Sequence, residues 1–389
     1  MKKLLKLLVI FLVTIALVAC GAANNNNTPN NGNNETPNNG NNGNNDGTGS
    51  VDIDDNSLYL ITDLGTIDDK SFNQGSWEGM KQYADEVGVE ANYLQPAQQS
   101  DSAYLAEIKT AVENGAKVVV TPGFLFANAV LEAQELYPEI YFILVDSTPN
   151  NGDFDGTYVE EVGAKTVSIL YKEDQAGFLA GYAAVKEGFT ELGFMGGLSV
   201  PAVIRFGYGF VAGANHAAEE MEVDVNVRYT YLNSFNQDPQ FTTMATSWYN
   251  SGTEVIHAAA GGAGNSVMAA AEQEGKWVVG VDVDQKDESS SVLTSAMKNL
   301  KGSVYDATKA VFEGEFPGGE ILNLGVEVEG VQISADFSRF ETFTEAEYDA
   351  LYADLVADKD GLASNIPNDS TVEDISTVDF SRVTVEFIE

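Results

Sequence analysis

Two rhythms of apolar residues run through the chain from Leu58 onward. One is short and nearly continuous: Leu58–Thr62, Val118–Thr121, Tyr141–Val145, Val255–Ala260 and Val278–Val281 are runs rich in β-branched and aliphatic residues. Such runs predict strands buried on both faces, since a strand with one wet face would alternate. The other rhythm repeats every three to four residues. Trp77, Met80, Tyr83, Ala84 and Val87 form one stripe, Leu105, Ile108 and Val112 a second, and Val267, Ala270 and Ala271 a third. These predict amphipathic helices, the first with Ser71 as its N-cap. Strands alternating with helices predict an α/β fold, a parallel sheet covered on both faces. There are more alternating elements than one such sheet takes, so the pattern predicts two Rossmann-like lobes. The expected division is 57–160 plus 298–325 for the first lobe and 161–297 plus 326–389 for the second. The crossings are expected near Tyr158–Ser168 and Leu293–Lys298. Parallel sheets bind ligands at the carboxyl ends of their strands, here Asp63, Pro122-Gly123, Asp146, Gly261-Gly262 and Asp282.

Upstream of Leu58 neither rhythm holds. Gly21–Gly49 is almost entirely Asn, Gly, Thr and Pro and has too little apolar surface to fold, so 21–56 is expected to be a disordered tether. A flexible segment of about 30 residues has an r.m.s. reach of roughly 30 Å. Residues 1–20 carry Lys2, Lys3 and Lys6, an apolar run from Leu7 to Val18 and then Ala19-Cys20. A basic start, a short apolar run and a small residue before a cut site describe an export signal. The cysteine directly after that small residue resembles the lipobox of bacterial lipoproteins, which implies cleavage before Cys20 and acylation (palmitate) of its thiol. Acyl chains contribute about 0.8 kcal/mol per buried CH₂. The expectation is a protein lipid-anchored to the extracytoplasmic face of the cell membrane.

Charge narrows the chemistry. The 389 residues include 20 Lys+Arg against 59 Asp+Glu, a net charge of −39, and cleavage before Cys20 would take this to −42 by removing three lysines and no acid. Nucleic acid is excluded as a partner, because phosphate binding needs clustered Lys and Arg, and docking on anionic headgroups is disfavoured. One cysteine allows no intrachain disulfide and no Cys-based zinc site, and two histidines leave little for His-centred catalysis. No cofactor and no metal are expected.

The strongest local signal is Ile61-Thr62-Asp63-Leu64-Gly65-Thr66-Ile67-Asp68-Asp69-Lys70-Ser71-Phe72-Asn73-Gln74, a strand end, a glycine turn and a polar helix start. Capping accounts for Asp68 and Asp69 and explains Asp63 and Phe72 poorly. This stretch resembles the signature of the basic membrane protein family, lipoproteins typified by purine nucleoside receptors of ABC importers. Further blocks follow in family order. Asp174-Gln175-Ala176-Gly177-Phe178-Leu179-Ala180-Gly181 resembles a Glu-Gly-Ser-Phe-Leu-Ala-Gly block, sharing its Phe-Leu-Ala-Gly and departing from it before Phe178. Gly193-Phe194-Met195-Gly196-Gly197, Pro201, Arg205-Phe206, Ala260-Gly261-Gly262-Ala263-Gly264, Gly280-Val281-Asp282-Val283-Asp284-Gln285 and Leu293-Thr294-Ser295-Ala296-Met297-Lys298 complete the series.

The resemblance implies a type I periplasmic-binding-protein fold, two lobes joined by a hinge with the ligand clamped between them. It implies that Phe72 and Phe206 sandwich a purine, that Asp63 and Asp146 hydrogen-bond the base, and that Asp282 and Lys298 hold the ribose. Asn73 and Gly262 complete the candidate ligand-binding set. The implied partners are a purine nucleoside, an ABC permease and its ATPase, with the protein a monomer and not an enzyme. The chemistry is compatible: base–aromatic stacking is worth about 1–3 kcal/mol per base, and ionised carboxylates accept hydrogen bonds from N–H and hydroxyl donors. A phosphate would need a basic or glycine-rich cradle.

Each residue also has a plainer reading. Phe72 and Phe206 suit a core, Asp146 can cap the Ser147-Thr148-Pro149 turn, Asp282 can bind its own loop, and Lys298 can be a surface lysine. Phe124 and Phe126 fit either the pocket or a helix start, Trp248 and Tyr249 read as core, His257 as a satisfied buried histidine and His216 as an ordinary mid-helix residue. Gly207-Tyr208-Gly209 with Gly213 misses the last spacing of a dinucleotide fingerprint and reads as a glycine-rich helix start. Asp282, Asp284 and Asp287 lack the turn glycine and terminal glutamate of a calcium loop. Three competing functions remain: a sugar as cargo, a surface sensor, and a calcium-dependent nucleoside hydrolase. The last rests on a faint likeness of Asp63–Asp69 to an aspartate-rich loop, which in this chain has Ile61 at an acid position and one residue too many before the acid pair.

Overall fold

The computed structural model describes residues 51–388 apart from Leu64 and 154–156; the export signal, Cys20 and all but the end of the tether lie outside the described residues. The first half of the body runs through β1 (Leu58–Ile61), α1 (Phe72–Val87), β2 (Ala91–Leu94), α2 (Asp101–Glu113), β3 (Val118–Pro122), α3 (Ala127–Leu136), β4 (Tyr141–Val145) and β5 (Thr166–Tyr171). The second half continues with α4 (Glu173–Glu187), β6 (Glu191–Gly196), α5 (Pro201–Met221), β7 (Val225–Tyr231), α6 (Pro239–Asn250), β8 (Val255–His257), α7 (Gly264–Glu274), β9 (Trp277–Asp282) and β10 (Val292–Lys298). Then come α8 (Leu300–Glu313), β11 (Ile321–Leu324), β12 (Val331–Ile333), α9 (Glu345–Val356) and β13 (Val383–Phe387).

The strands form two sheets. One has six strands in the order β11-β5-β4-β3-β1-β2, and the other seven, β12-β10-β9-β8-β6-β7-β13. Every neighbouring pair is parallel except β10 with β12. The same motif therefore occurs twice, second-first-third-fourth-fifth, as β2-β1-β3-β4-β5 and β7-β6-β8-β9-β10. In each, the strand order reverses between the first and third strands, the place where doubly wound sheets open a crevice. The continuous burial of β1 and β3 follows from helices on both faces.

The sheets correct the expected lobe limits. Thr166–Tyr171 pairs with β4, so the first crossing falls at Lys172, downstream of 158–168; the hydrogen-bond ladder, which periodicity does not encode, decides it. Lys298 ends β10 in the second sheet, so the next crossing is Asn299, and the third is Gly325, between β11 and β12. The tether also ends earlier than 56, because Val51 and Ile53 pack against the core.

Helices α4 and α5 are the most tightly packed pair. A Cβ placed on Gly177 would lie 2.1 Å from the Phe206 carbonyl oxygen, and one on Gly209 would lie 1.9 Å from that of Asp174. Gly181 and Gly213 meet the partner helix as closely. The glycines of 207–213 thus sit inside α5 and not at a helix start as the sequence suggested: Gly209 and Gly213 where two backbones touch, and Gly207 against the Tyr229 and Phe194 side chains. Among the described residues no helix is long and apolar enough to cross a membrane.

Candidate ligand-binding site between the lobes

The carboxyl ends of the two sheets face each other across a cavity of about 250 Å³. Asp63, Phe72, Asn73, Asp146, Phe206, Gly262, Asp282 and Lys298 all line it. Strand ends and helix starts deliver them. Asp63 leaves β1 and Phe72 opens α1, Asp146 follows β4, and Phe206 lies in the second turn of α5. Gly262 forms the turn after β8, while Asp282 and Lys298 end β9 and β10.

Lys298 organises the deep end. Its side chain is 3% exposed, and its ammonium is bonded to Asp146 Oδ2 and lies 3.4 Å from Asp282 Oδ1 and 3.6 Å from Glu173 Oε1. It also stands over the rings of Phe72, Phe206 and Tyr171, at 4.8, 5.3 and 5.6 Å from their centroids. Burial alone would push the ammonium down, but the carboxylates of Asp146, Asp282 and Glu173 outweigh it and hold Lys298 above its ordinary value, fully charged. Burial pushes the Asp146 carboxyl up, to about 7, with Lys298 opposing and Glu173 and Asp282 adding to the rise. Asp146 Oδ1 is buried without a hydrogen-bond partner. Lys298 is therefore a buried cation and not the surface lysine of its plainer reading.

The mouth is built on the start of α1. Asp69 caps the helix: its carboxylate accepts from the backbone N–H of Ser71, Asn73 and Gln74 at 2.9–3.1 Å and from Asn73 Nδ2 at 2.9 Å. Burial raises the Asp69 carboxyl, against these hydrogen bonds. Asn73 Nδ2 also donates to Asp63 Oδ1 at 2.9 Å, so Asn73 fixes Asp63 at the cavity wall. Ser71 occupies the N-cap position, but its side chain makes no cap bond. Its hydroxyl donates across the cleft to Asp282 Oδ2 at 2.5 Å. Two further contacts cross beside it, Gln285 Nε2 to the Lys70 carbonyl at 2.7 Å and Lys70 to Glu288 at 3.6 Å.

Phe72 is half-buried and Phe206 almost fully so. His257 meets Phe206 edge-on at 5.9 Å and packs on Phe194 and Phe210. Its Nδ1 is 3.2 Å from the Val279 carbonyl oxygen, while Nε2 has no partner. It is thus half satisfied, not satisfied as expected, and burial lowers it to about 4, so it is neutral. Phe124 lines the cavity, whereas Phe126 is buried against Tyr104. Trp248 and Tyr249 are core residues of α6. Among the described residues no group of His, Cys, Asp and Glu is arranged to hold a metal ion.

Several wall residues escaped the sequence reading. Phe235, Asn236 and Gln237 come from the loop between β7 and α6, which carries no motif. Glu173, which stands behind the wall against Lys298, lay one residue outside the 174–181 block. Its neighbourhood to Lys298 comes from the adjacency of α4 to β10, for which the sequence holds no signal.

Residues 57–370 match the family described as ABC transporter substrate-binding protein, PnrA-like. The chain is 32% identical over 303 residues to the CD4+ T-cell-stimulating antigen of Listeria monocytogenes, covering 72% of this chain and 80% of that one. It is 31% identical over 300 residues to the ABC transporter nucleoside-binding protein BmpA of Lactococcus lactis, covering 71% and 81%. With basic membrane protein A of Borreliella burgdorferi the identity is 27% over 347 residues, 88% and 94% of the two chains. Among solved structures, an ABC transporter solute-binding protein from Aeropyrum pernix superimposes with a TM-score of 0.64 at 24% identity, covering 82% of this chain and 84% of that one. One from Conexibacter woesei gives 0.61 at 18%, covering 77% and 96%. These likenesses show the type I periplasmic-binding-protein fold. Two lobes of repeated topology, a cavity at their facing strand ends and a family match over residues 57–370 lead to one conclusion: the chain belongs to the PnrA-like basic membrane protein family, the substrate-binding proteins of ABC transporters.

Proposed function

We propose that this substrate-binding protein captures purine nucleosides (adenosine, guanosine and inosine) between its lobes and hands them to a membrane permease driven by an ATPase. The observation that carries the reading is the placement of Phe72 and Phe206, one from each lobe, on the wall of a single cavity whose deep end holds Lys298 with Asp146 and Asp282. Two aromatic rings on the wall of one cavity suit a flat heterocycle. In this reading the purine lies between the rings, with Asp63, held by Asn73, accepting from its N–H groups. The ribose hydroxyls reach Asp282 and Lys298, and Asp146 Oδ1 is a further acceptor. Gly262 lets the ligand approach the turn after β8.

Charge sets the limit on cargo. Asp63, Asp68, Asp69, Asp146 and Asp282 share the wall with one lysine, so a nucleotide phosphate is repelled and a neutral nucleoside is admitted. Capture follows from domain closure. The bonds of Ser71 to Asp282, Lys298 to Asp146 and Gln285 to Lys70 all join the lobes and all break when they part. No covalent step is involved. The relative named as a nucleoside-binding protein supports the cargo. An export signal ending at Cys20 supports attachment to the extracytoplasmic membrane face by a lipid.

A calorimetric panel of adenosine, guanosine, inosine, cytidine, uridine, ribose and AMP tests the cargo. Purine nucleosides are expected to bind, with AMP and ribose silent. Tighter binding of ribose than of any nucleoside would replace this reading with sugar transport, and release of hypoxanthine from inosine with calcium would replace it with hydrolysis. Cys20→Ala is expected to move the protein from the membrane to the soluble fraction.

A further inference from the structure

The geometry points to Glu173 as the positioning residue of the site: it holds the Lys298 ammonium from within the second lobe, so that the lysine stands ready for the ligand before the lobes meet. This rests on the reading of Lys298 as a ribose contact.

Glu173 does not line the cavity. It is the first residue of α4, its side chain is 1% exposed, and it lies behind Lys298 with Oε1 3.6 Å from the ammonium. Its other oxygen, Oε2, is 3.4 Å from Arg205 Nη1. Arg205 is itself gripped by Asp369, with Nε to Oδ1 at 2.6 Å and Nη2 to Oδ2 at 3.3 Å. A line of alternating charge thus runs from the buried Lys298 and Glu173 through the half-buried Arg205 to Asp369, all four residues belonging to the second lobe.

The position of this line in the chain gives it a role. Glu173 directly follows the first crossing, at Lys172, and Lys298 directly precedes the second, at Asn299. Asp146 belongs to the first lobe and leaves Lys298 when the lobes separate, whereas Glu173 and Asp282 stay with it. A lysine side chain is flexible and its ammonium has three donors. Without Glu173, the open lobe would hold that charge through Asp282 alone, and the ammonium would have to be ordered when the ligand arrives. Burial raises the Glu173 carboxyl, and Arg205, with Lys298, opposes that rise as its counter-ion.

The test is calorimetry of the full chain with inosine and with the free base hypoxanthine, on the parent, Glu173→Gln, Lys298→Met and the double variant. Removing one charge-assisted contact predicts a loss of about tenfold in inosine affinity for Glu173→Gln, no change for hypoxanthine, and a double variant no weaker than Lys298→Met. A purely structural role would weaken both ligands alike and would add to the Lys298→Met loss; either result overturns the inference while leaving the nucleoside reading intact. An unchanged inosine affinity in Lys298→Met overturns the ribose role of the lysine and this inference with it. Should Glu173→Gln fold poorly, Glu173→Asp keeps the negative charge while drawing the carboxylate back from both Lys298 and Arg205, and it is held to the same outcomes.

Discussion

Asp146 directly follows β4 and Asp282 ends β9, the fourth strands of the two repeated motifs, and both adopt a left-handed backbone, with φ of 60° and 67°. Both carboxylates meet the ammonium of Lys298. Left-handed geometry is unusual for a residue other than glycine, and its recurrence at equivalent strand ends marks a place where the surroundings enforce it. The fifth strands end in Tyr171 and Lys298, which also face each other. The cavity is thus a meeting of two similar half-sites with one cation between them.

The two flanking rings have different structural duties. Phe72 is half-buried at the start of α1, so Phe72→Ala is expected to weaken purine nucleoside binding more than tenfold, as loss of a stacking ring does, with little change in thermal unfolding. Phe206 is packed against His257 in the core of its lobe, and Phe206→Ala should also cost about 3–5 kcal/mol of stability. Calorimetry and thermal melts separate the two; equal affinities in parent and both variants would remove the rings from the site.

Ser71 is the shortest link across the mouth. Ser71→Ala removes the only donor that α1's start gives to Asp282 among the described residues. A bond to a charged group is worth about 1.5–3 kcal/mol, so a loss of roughly tenfold in affinity is expected, with a larger radius of gyration by X-ray scattering in the absence of nucleoside. A scattering profile identical to the parent's, at unchanged affinity, would show that this bond does not hold the lobes together.

Gly209→Ala places a methyl 1.9 Å from the Asp174 carbonyl oxygen, against backbone that cannot rotate aside. The α4 and α5 helices must then part, which predicts at least the 1–3 kcal/mol typical of overpacking and a lower midpoint in a denaturant titration. A midpoint equal to the parent's would mean that the helices separate freely.

Two buried groups tie stability to pH with opposite signs. Asp146 is raised from 3.8 to about 7 in the folded protein, so between those values the folded state holds more protons than the unfolded, and this contribution declines as pH rises through that window. His257 is lowered from 6.5 to about 4; there the unfolded state holds more protons, and stability is lost as pH falls from 6.5 toward 4. In thermal unfolding between pH 4.5 and 8, Asp146→Asn should flatten the alkaline decline and His257→Gln the acid one. Parent-like slopes in both variants would contradict the assignment.

Much of the site was legible because strand ends in parallel sheets are where ligands bind, and Asp63, Asp146, Gly262 and Asp282 each follow an apolar run. Ser71 misled for a local reason. Its place before α1 is a capping position, yet Asp69 satisfies those N–H groups, which frees the hydroxyl for a residue 211 positions away. The glycines of α5 misled in the same way, since a close helix–helix approach leaves the same letters as a turn.

Periodicity determined the alternating α/β body and its two lobes, because burial on both sheet faces is a property of residues in sequence. Which acid pairs with Lys298, where the chain crosses between sheets and why Glu173 matters were decided only by tertiary structure. Those depend on strand order and on contacts between residues more than a hundred positions apart, and Coulomb and hydrogen-bond energies fall on distance in space, not distance along the chain.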